Sequence, residues 1–219
     1  MLISFSGLDC SGKGTQIAAL VSLYNEQKIV NRVFWARPGY TPLFNYLKSK
    51  TVSRNNKNFQ DLEERKKNIL RIPLLLRVWI YISILDLVLY WGVYLRVQIL
   101  IKPRVIADRY IVDAFVDLTE QFPEVDIKNL LLWRALEFLA PKPTASIFML
   151  INPEIAIARS KRKIEPFSNN ITSLRKRYQI YELRHTLAHA LIDINAAEKP
   201  EFITAEIFKS LNEDNNFEN

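Results

Sequence analysis

The segment Gly7-Leu8-Asp9-Cys10-Ser11-Gly12-Lys13-Gly14-Thr15 follows directly on the apolar run Met1-Leu2-Ile3-Ser4-Phe5 and leads into Gln16-Ile17-Ala18-Ala19-Leu20-Val21. A strand, a turn bounded by glycines and a helix are written in that order, and the turn has the spacing G-x-x-x-x-G-K. Gly7 and Gly12 allow backbone angles that a Cβ would forbid. The chain can therefore curl until successive N–H groups point inward at a polyphosphate. The helix that starts here adds the positive end of its dipole to the same spot. Lys13 supplies a mobile point charge for the β- and γ-phosphates. The hydroxyl that usually follows the lysine and ligates magnesium is replaced by Gly14, and Thr15 stands one step later. Magnesium is then expected to be held mainly by nucleotide phosphates and water, in keeping with its reluctance to dehydrate.

Beyond this turn, short apolar runs alternate with helical stretches. Strands are predicted at residues 1–5, 33–35, 105–107, 146–151 and 190–193. Helices are predicted at residues 13–28, 111–121, 126–140, 154–161, 172–188 and 201–211, with a short one opened by Thr41-Pro42-Leu43. A polar, basic loop is expected at residues 53–58 and a disordered tail at residues 212–219. The alternation is that of an α/β chain: a parallel sheet of about five strands with helices on both faces. At 219 residues, with no internal repeat and no linker, the chain reads as a single domain over residues 1–212 followed by a polar tail, 213–219.

Residues 78–95 are almost wholly apolar, interrupted by Asp86 and flanked by Arg77 and Arg96. A membrane span needs about twenty apolar residues and tolerates a central carboxylate badly. A helix apolar all round is otherwise a buried one. The favoured expectation is a buried helix partly covered by a second subunit; membrane contact is the alternative. The net charge of +7 suits a phosphate-rich small molecule, and in principle also nucleic acid or an anionic surface. With the phosphate loop already in the sequence, the small molecule is preferred and no nucleic acid is expected. The single cysteine, Cys10, excludes an internal disulfide and fits a reducing cytoplasm; the opening residues do not read as a signal peptide.

In a parallel sheet, ligands gather at the carboxyl ends of the strands. Arg37, Asp108 and Arg109 stand at such ends together with the phosphate loop, so they are expected to converge. Arg109 can grip a phosphate through two parallel bonds or sit in an ion pair with Asp108 or Glu120. Asp108 can orient the magnesium shell or cap the next helix. Arg159, Lys161, Arg162 and Lys163 precede a polar loop at residues 165–170 and read as a small basic lid that supplies positive charge to the transferring phosphoryl group, or as a solvated face. His185 and His189 have no further histidine or cysteine partner that would complete a metal site, and read as ordinary helix residues.

Taken together, Gly7 to Gln16, Arg37-Pro38-Gly39-Tyr40-Thr41-Pro42, Asp108-Arg109-Tyr110 and Ile151-Asn152-Pro153-Glu154 resemble, in order and over nearly the whole chain, the thymidylate kinases. The resemblance implies a P-loop nucleoside-monophosphate kinase fold, ATP with Mg2+ as donor, dTMP as acceptor and a homodimer. It implies ATP contacts along Gly7, Leu8, Asp9, Cys10, Ser11, Gly12, Lys13, Gly14 and Thr15, with Asp108 and Thr15 toward the metal. It places Asp9 and Arg109 at the acceptor, where Arg37, Tyr110 and Asp113 stand as further candidates, and the residues expected to carry catalysis are Lys13, Arg109, Arg159 and Arg162. It also implies dimerisation through the apolar helix of residues 78–95.

The sequence departs from the family at the acceptor. The family's arginine two residues before the turn proline is Ala36 here, and Arg37 comes one residue late, on the opposite strand face. The aromatic and arginine that read the base should fall near Ser83 and Leu87. The small residue after D-R-Y is Asp113. A carboxylate there would repel a phosphate and could instead orient a hydroxyl as general base, which makes a nucleoside or sugar acceptor the alternative; Asp113 also reads as a plain helix-start acid. A regulatory ATPase with no acceptor is a further alternative.

Overall fold

The computed structural model describes residues 1–41, 73–161, 170–184 and 191–215. The expected short helix at Pro42 and Leu43, the basic loop at 53–58, Arg162, Lys163, most of the polar loop, His185, His189 and residues 216–219 lie outside the described residues.

The elements run β1 (Leu2–Gly7), α1 (Lys13–Glu26), β2 (Asn31–Trp35), α2 (Pro73–Leu87), a π-helical stretch (Val88–Leu95), α3 (Arg96–Ile101), β3 (Arg104–Asp108), α4 (Ile111–Gln121), a 3-10 turn (Ile127–Asn129), α5 (Leu131–Leu139), β4 (Ala145–Leu150), α6 (Pro153–Ser160), α7 (Ile171–Arg184), β5 (Leu191–Asn195) and α8 (Pro200–Asn215). The five strands form one parallel sheet in the order β2-β3-β1-β4-β5. β1 is central and buried along its whole length, which is why it reads as an apolar run rather than an alternating one. Its side chains still divide between the two faces. Ile3, Phe5 and Ile147 pack with Ile17 and Leu20 of α1 and with Ile203 and Ile207 of α8. Leu2, Val105 and Ala107 face the other way and meet Ile84, Leu87, Trp91 and Trp133. The sheet is thus covered on both faces, the α/β architecture that the alternation of elements predicts.

Three expectations shift in detail. The helix expected over 126–140 is broken at Leu130, whose extended backbone (φ −70°, ψ 130°) separates the 3-10 turn from α5. α8 runs on to Asn215, so the first residues of the expected tail are helical. The apolar segment is one continuous helical rod whose two sides differ. Ile80, Ile84, Leu87, Trp91 and Leu95, spaced by three and four, are buried, whereas Val78, Ile82, Leu85, Leu89 and Val93 stand 44–58% exposed. Over Leu74–Ile101 the rod is long and apolar enough to cross a membrane by length and composition. Asp86 belongs to the buried side, where it accepts a short hydrogen bond from the Thr41 hydroxyl.

Candidate active site

The phosphate loop leaves β1 at a point where the chain allows one residue type. Gly7 has φ 140°, and a Cβ there would lie 2.0 Å from the Met149 carbonyl oxygen on the neighbouring strand. Gly12, at φ 99°, is the N-cap of α1, and it offers no side-chain cap; the first turn of α1 carries no acid. The positive end of the α1 dipole therefore has no counter-charge of its own and favours an anion. Lys13 lies across the loop, its Nζ donating to the carbonyls of Gly7 and Leu8, both at 2.7 Å. Burial, and after it the nearby Arg109, brings its ammonium down to about 8, against the opposing pull of Asp113, Asp9 and Asp108.

Beside the loop the structure gathers a network of charges. Asp9 sits among three guanidinium groups: a short ion pair to Arg109, and Arg37 and Arg177 at 3.5 and 3.9 Å. Burial alone would raise the Asp9 carboxyl, but Arg109, Arg177, Lys13 and Arg37 outweigh it and hold it well below the usual carboxylate range. Arg37 also reaches Asp117 at 3.2 Å, and Arg177 bridges Asp117 at 2.7 Å and Glu120 at 3.1 Å. Arg109 is set in place by the backbone. Its N–H extends the ladder to the Phe5 carbonyl, and its φ of 75° is uncommon for a residue with a side chain. Such conformations cost about 1–3 kcal/mol and concentrate at functional sites. Asp108, one residue before it, has its carboxyl raised, chiefly by burial.

On the β4–β5 side of the loop a separate cavity of about 340 Å³ opens between Cys10-Ser11-Gly12 and the segment after β5. Thr15 and Gln16 of α1 form one wall, and Ala196, Glu198 and Pro200 the other. Arg159, on the last turn of α6, closes the top and donates to the Ala196 carbonyl at 3.0 Å. The amide of Gln16 ties α1 to the Pro200 carbonyl at 3.0 Å, and Thr204 donates to the same Gln16 at 2.7 Å. This space adjoins the phosphate cradle and suits the nucleoside end of a nucleotide.

Lys13, Asp9, Arg37 and Arg109 come together as the strand-end rule predicts. Two other assignments change. Asp113 is 1% exposed, and its carboxylate is fully engaged. Oδ1 accepts the Gly7 N–H at 3.3 Å and the Tyr181 hydroxyl at 2.7 Å, and lies 3.6 Å from Arg109. Oδ2 accepts the Tyr110 N–H at 3.0 Å, capping α4. It is a structural acid that holds the loop from behind, not a base facing an acceptor. Tyr110 is likewise turned into the core, donating to the Pro141 carbonyl at 2.6 Å with its ring 4.9 Å from that of Trp91; it does not face the acceptor. Thr15 lines the cavity on the β4–β5 side, whereas Asp108 ends β3, the strand on the other side of β1. Ser83 and Leu87, at the expected base-reading positions, are both fully buried.

Among the described residues, no three His, Cys, Asp or Glu side chains gather into a metal-holding group. The donor set still fits Mg2+, which keeps several waters and binds through one or two carboxylates plus substrate phosphates; Asp108, at the end of β3, is the carboxylate that would hold it. Reading the sequence alone misses Arg177 and Tyr181. They lie four residues apart on one face of α7, a spacing visible in the sequence, but the acids they meet are on the loop after β1 and on α4.

No protein-family model matches the chain, and no curated protein matches it in sequence. Among solved structures, the fold is similar to that of a deoxyadenosine kinase from M. mycoides, solved with the product dCMP and a flexible dCDP bound. The TM-score is 0.59 over 97% of this chain and 100% of that one, with 14% of residues identical. The chain thus has the P-loop kinase fold, a five-stranded parallel sheet flanked by helices.

Proposed function

We propose that this protein is an ATP-dependent, cytoplasmic kinase that transfers the γ-phosphoryl group of ATP to a nucleoside monophosphate, with dTMP as the favoured acceptor. The observation that supports this most is the convergence of Arg37 and Arg109 on Asp9 at the edge of the phosphate loop that carries Lys13. Phosphoryl transfer asks a protein mainly for positioning and positive charge. In this reading the loop amides and Lys13 hold the β- and γ-phosphates, and the cavity under Arg159 takes the donor nucleoside. Arg37 and Arg109 hold the acceptor phosphate, with Asp9 setting their forks. Asp108 would hold the water shell of a Mg2+ ion brought in with the nucleotide, and the ion would supply positive charge against the donor phosphates. An acceptor phosphate oxygen attacks the γ-phosphorus, the bond to the β-phosphate oxygen breaks, and ADP leaves.

A monophosphate is favoured over a sugar hydroxyl because its attacking oxygen needs no base. Asp113 is occupied by its hydrogen bonds, and Asp9, held low by its arginines, is a poor proton acceptor. One observation favours the hydroxyl reading: burial raises the Asp108 carboxyl, giving it a better proton affinity than Asp9. Supplying dTMP, thymidine and other nucleosides and monophosphates with MgATP and following ADP release separates the two. Fast turnover with dTMP, abolished by Arg109→Ala, is expected. Turnover with thymidine but not with any monophosphate would establish the hydroxyl reading, and ADP release that no acceptor stimulates would leave a regulatory ATPase. We further propose that the exposed apolar side of the Leu74–Ile101 rod is covered by a second copy of the chain, and that small-molecule nucleotides, not nucleic acid or membrane, are the partners.

A further inference from the structure

A second cavity, of about 340 Å³, lies under α4 and α5 on the face of β1 and β4 away from α1. Its floor is unusual for the middle of a sheet. Ser4, Ser6 and Ser146 occupy it in place of branched apolar residues, with the Ser4 hydroxyl donating to that of Ser146 at 3.2 Å. All three are buried, so hydroxyls line a space that larger side chains would fill. The walls are aromatic: Phe115, Trp133 and Phe148, with Phe115 and Trp133 packed 5.6 Å apart at a tilt of 57°. At the rim stand two exposed lysines, Lys128 and Lys142. The rim acid, Glu137, accepts from the Trp133 indole at 2.8 Å. The size, the apolar walls and the few convergent polar groups are those of a small-molecule site.

We infer that this cavity is a second ligand site, which takes a compact aromatic molecule bearing one carboxylate. The ring lies between the packed Phe115–Trp133 pair and Phe148, its inner edge meets the serine hydroxyls, and the carboxylate emerges between Lys128 and Lys142. The site is joined to the phosphate loop by the chain itself. Ser6 precedes Gly7, and Tyr110, another lining residue, is capped by Asp113, which also holds the Gly7 N–H. An occupant that shifts the start of α4 therefore shifts the loop, and by linkage a nucleotide on the loop changes the occupant's affinity by the same factor. The site itself does not depend on the kinase reading; its coupling to the loop does, through nucleotide binding alone.

The test uses the full-length protein with 1-naphthoate as probe and 1-naphthalenemethanol as its neutral counterpart, followed by isothermal titration. Saturable one-to-one binding of 1-naphthoate is expected. It should weaken tenfold or more in the Lys128→Ala/Lys142→Ala double variant, while the neutral probe changes less than twofold. Ser146→Val, which narrows the floor, should weaken both probes, with folding checked by thermal melting; if that variant does not fold, the lysine pair alone decides. MgATP affinity should change at least twofold in the presence of saturating 1-naphthoate. Lack of saturable binding, or binding indifferent to the lysines, overturns the site. Binding that leaves MgATP affinity unchanged, in a protein that binds MgATP, overturns the coupling.

Discussion

Asp113 is the residue whose role changes most between sequence and structure. In the chain it is an acid near a helix start. In the fold it joins the backbone of β1, the cap of α4, the hydroxyl of Tyr181 on α7 and the guanidinium of Arg109. Removing one member of a buried ion pair typically costs about 3–5 kcal/mol, so Asp113→Ala should lower the urea midpoint by a corresponding amount. Tyr181→Phe, which removes one hydrogen bond, should cost about 1 kcal/mol. That network could not be read from the sequence, because Tyr181 lies 68 residues from Asp113 and only the packing of α7 on α4 brings them together. Lys13 gives a pH test. Its ammonium is brought down to about 8, so above that pH the free protein loses the charge proposed to meet the phosphates. MgATP affinity should be flat below pH 8 and fall as pH rises toward 9.5; a flat profile throughout contradicts the assignment. The stability sign is opposite. The unfolded chain keeps the ordinary value of 10.5 and binds the proton that the folded protein has lost, so this residue's contribution to stability rises with pH between about 8 and 10.5. For Asp9, held low in the fold, the stabilising contribution present at neutral pH is lost as pH falls below its ordinary value of 3.8.

Among the elements, the strands were the most legible. β1, β3 and β4 are buried runs bounded by turn residues, and a run of that kind has few other places to go in an α/β fold. The break at Leu130 was not legible, since Ile127, Leu130 and Leu131 continue a helical spacing across it. The phosphate turn was legible because its glycines answer to local sterics: at Gly7 any side chain would overlap the Met149 carbonyl. The rod of α2, the π-helical stretch and α3 was legible as apolar but not as two-sided, since composition alone cannot say which stripe faces the sheet. At Gly92 the rod packs close on α5: a Cβ there would stand 3.3 Å from the Leu139 Cβ. Gly92→Val should therefore overpack this crossing and destabilise by about 1–3 kcal/mol, read from the shift of the urea midpoint. An unchanged midpoint would show that the crossing is looser than described.

For the whole molecule, two claims follow from the surface and the site. The stripe of Val78, Ile82, Leu85, Leu89 and Val93 is a contiguous apolar side of a kind that soluble proteins usually cover. If a second copy covers it, sedimentation should show a dimer, and Leu85→Glu/Leu89→Glu should give a folded monomer; a wild-type monomer, or partition into membranes, would rule the dimer out. The central claim is that the loop between β1 and α1 holds a nucleoside triphosphate through its amides and Lys13. Isothermal titration of MgATP into the wild type and Lys13→Met tests it most directly. The account predicts saturable one-to-one binding by the wild type and a loss of affinity of roughly 10- to 100-fold in Lys13→Met, the worth of a hydrogen bond to a charged group. Equal affinity in the two proteins, or no binding by the wild type, would contradict it.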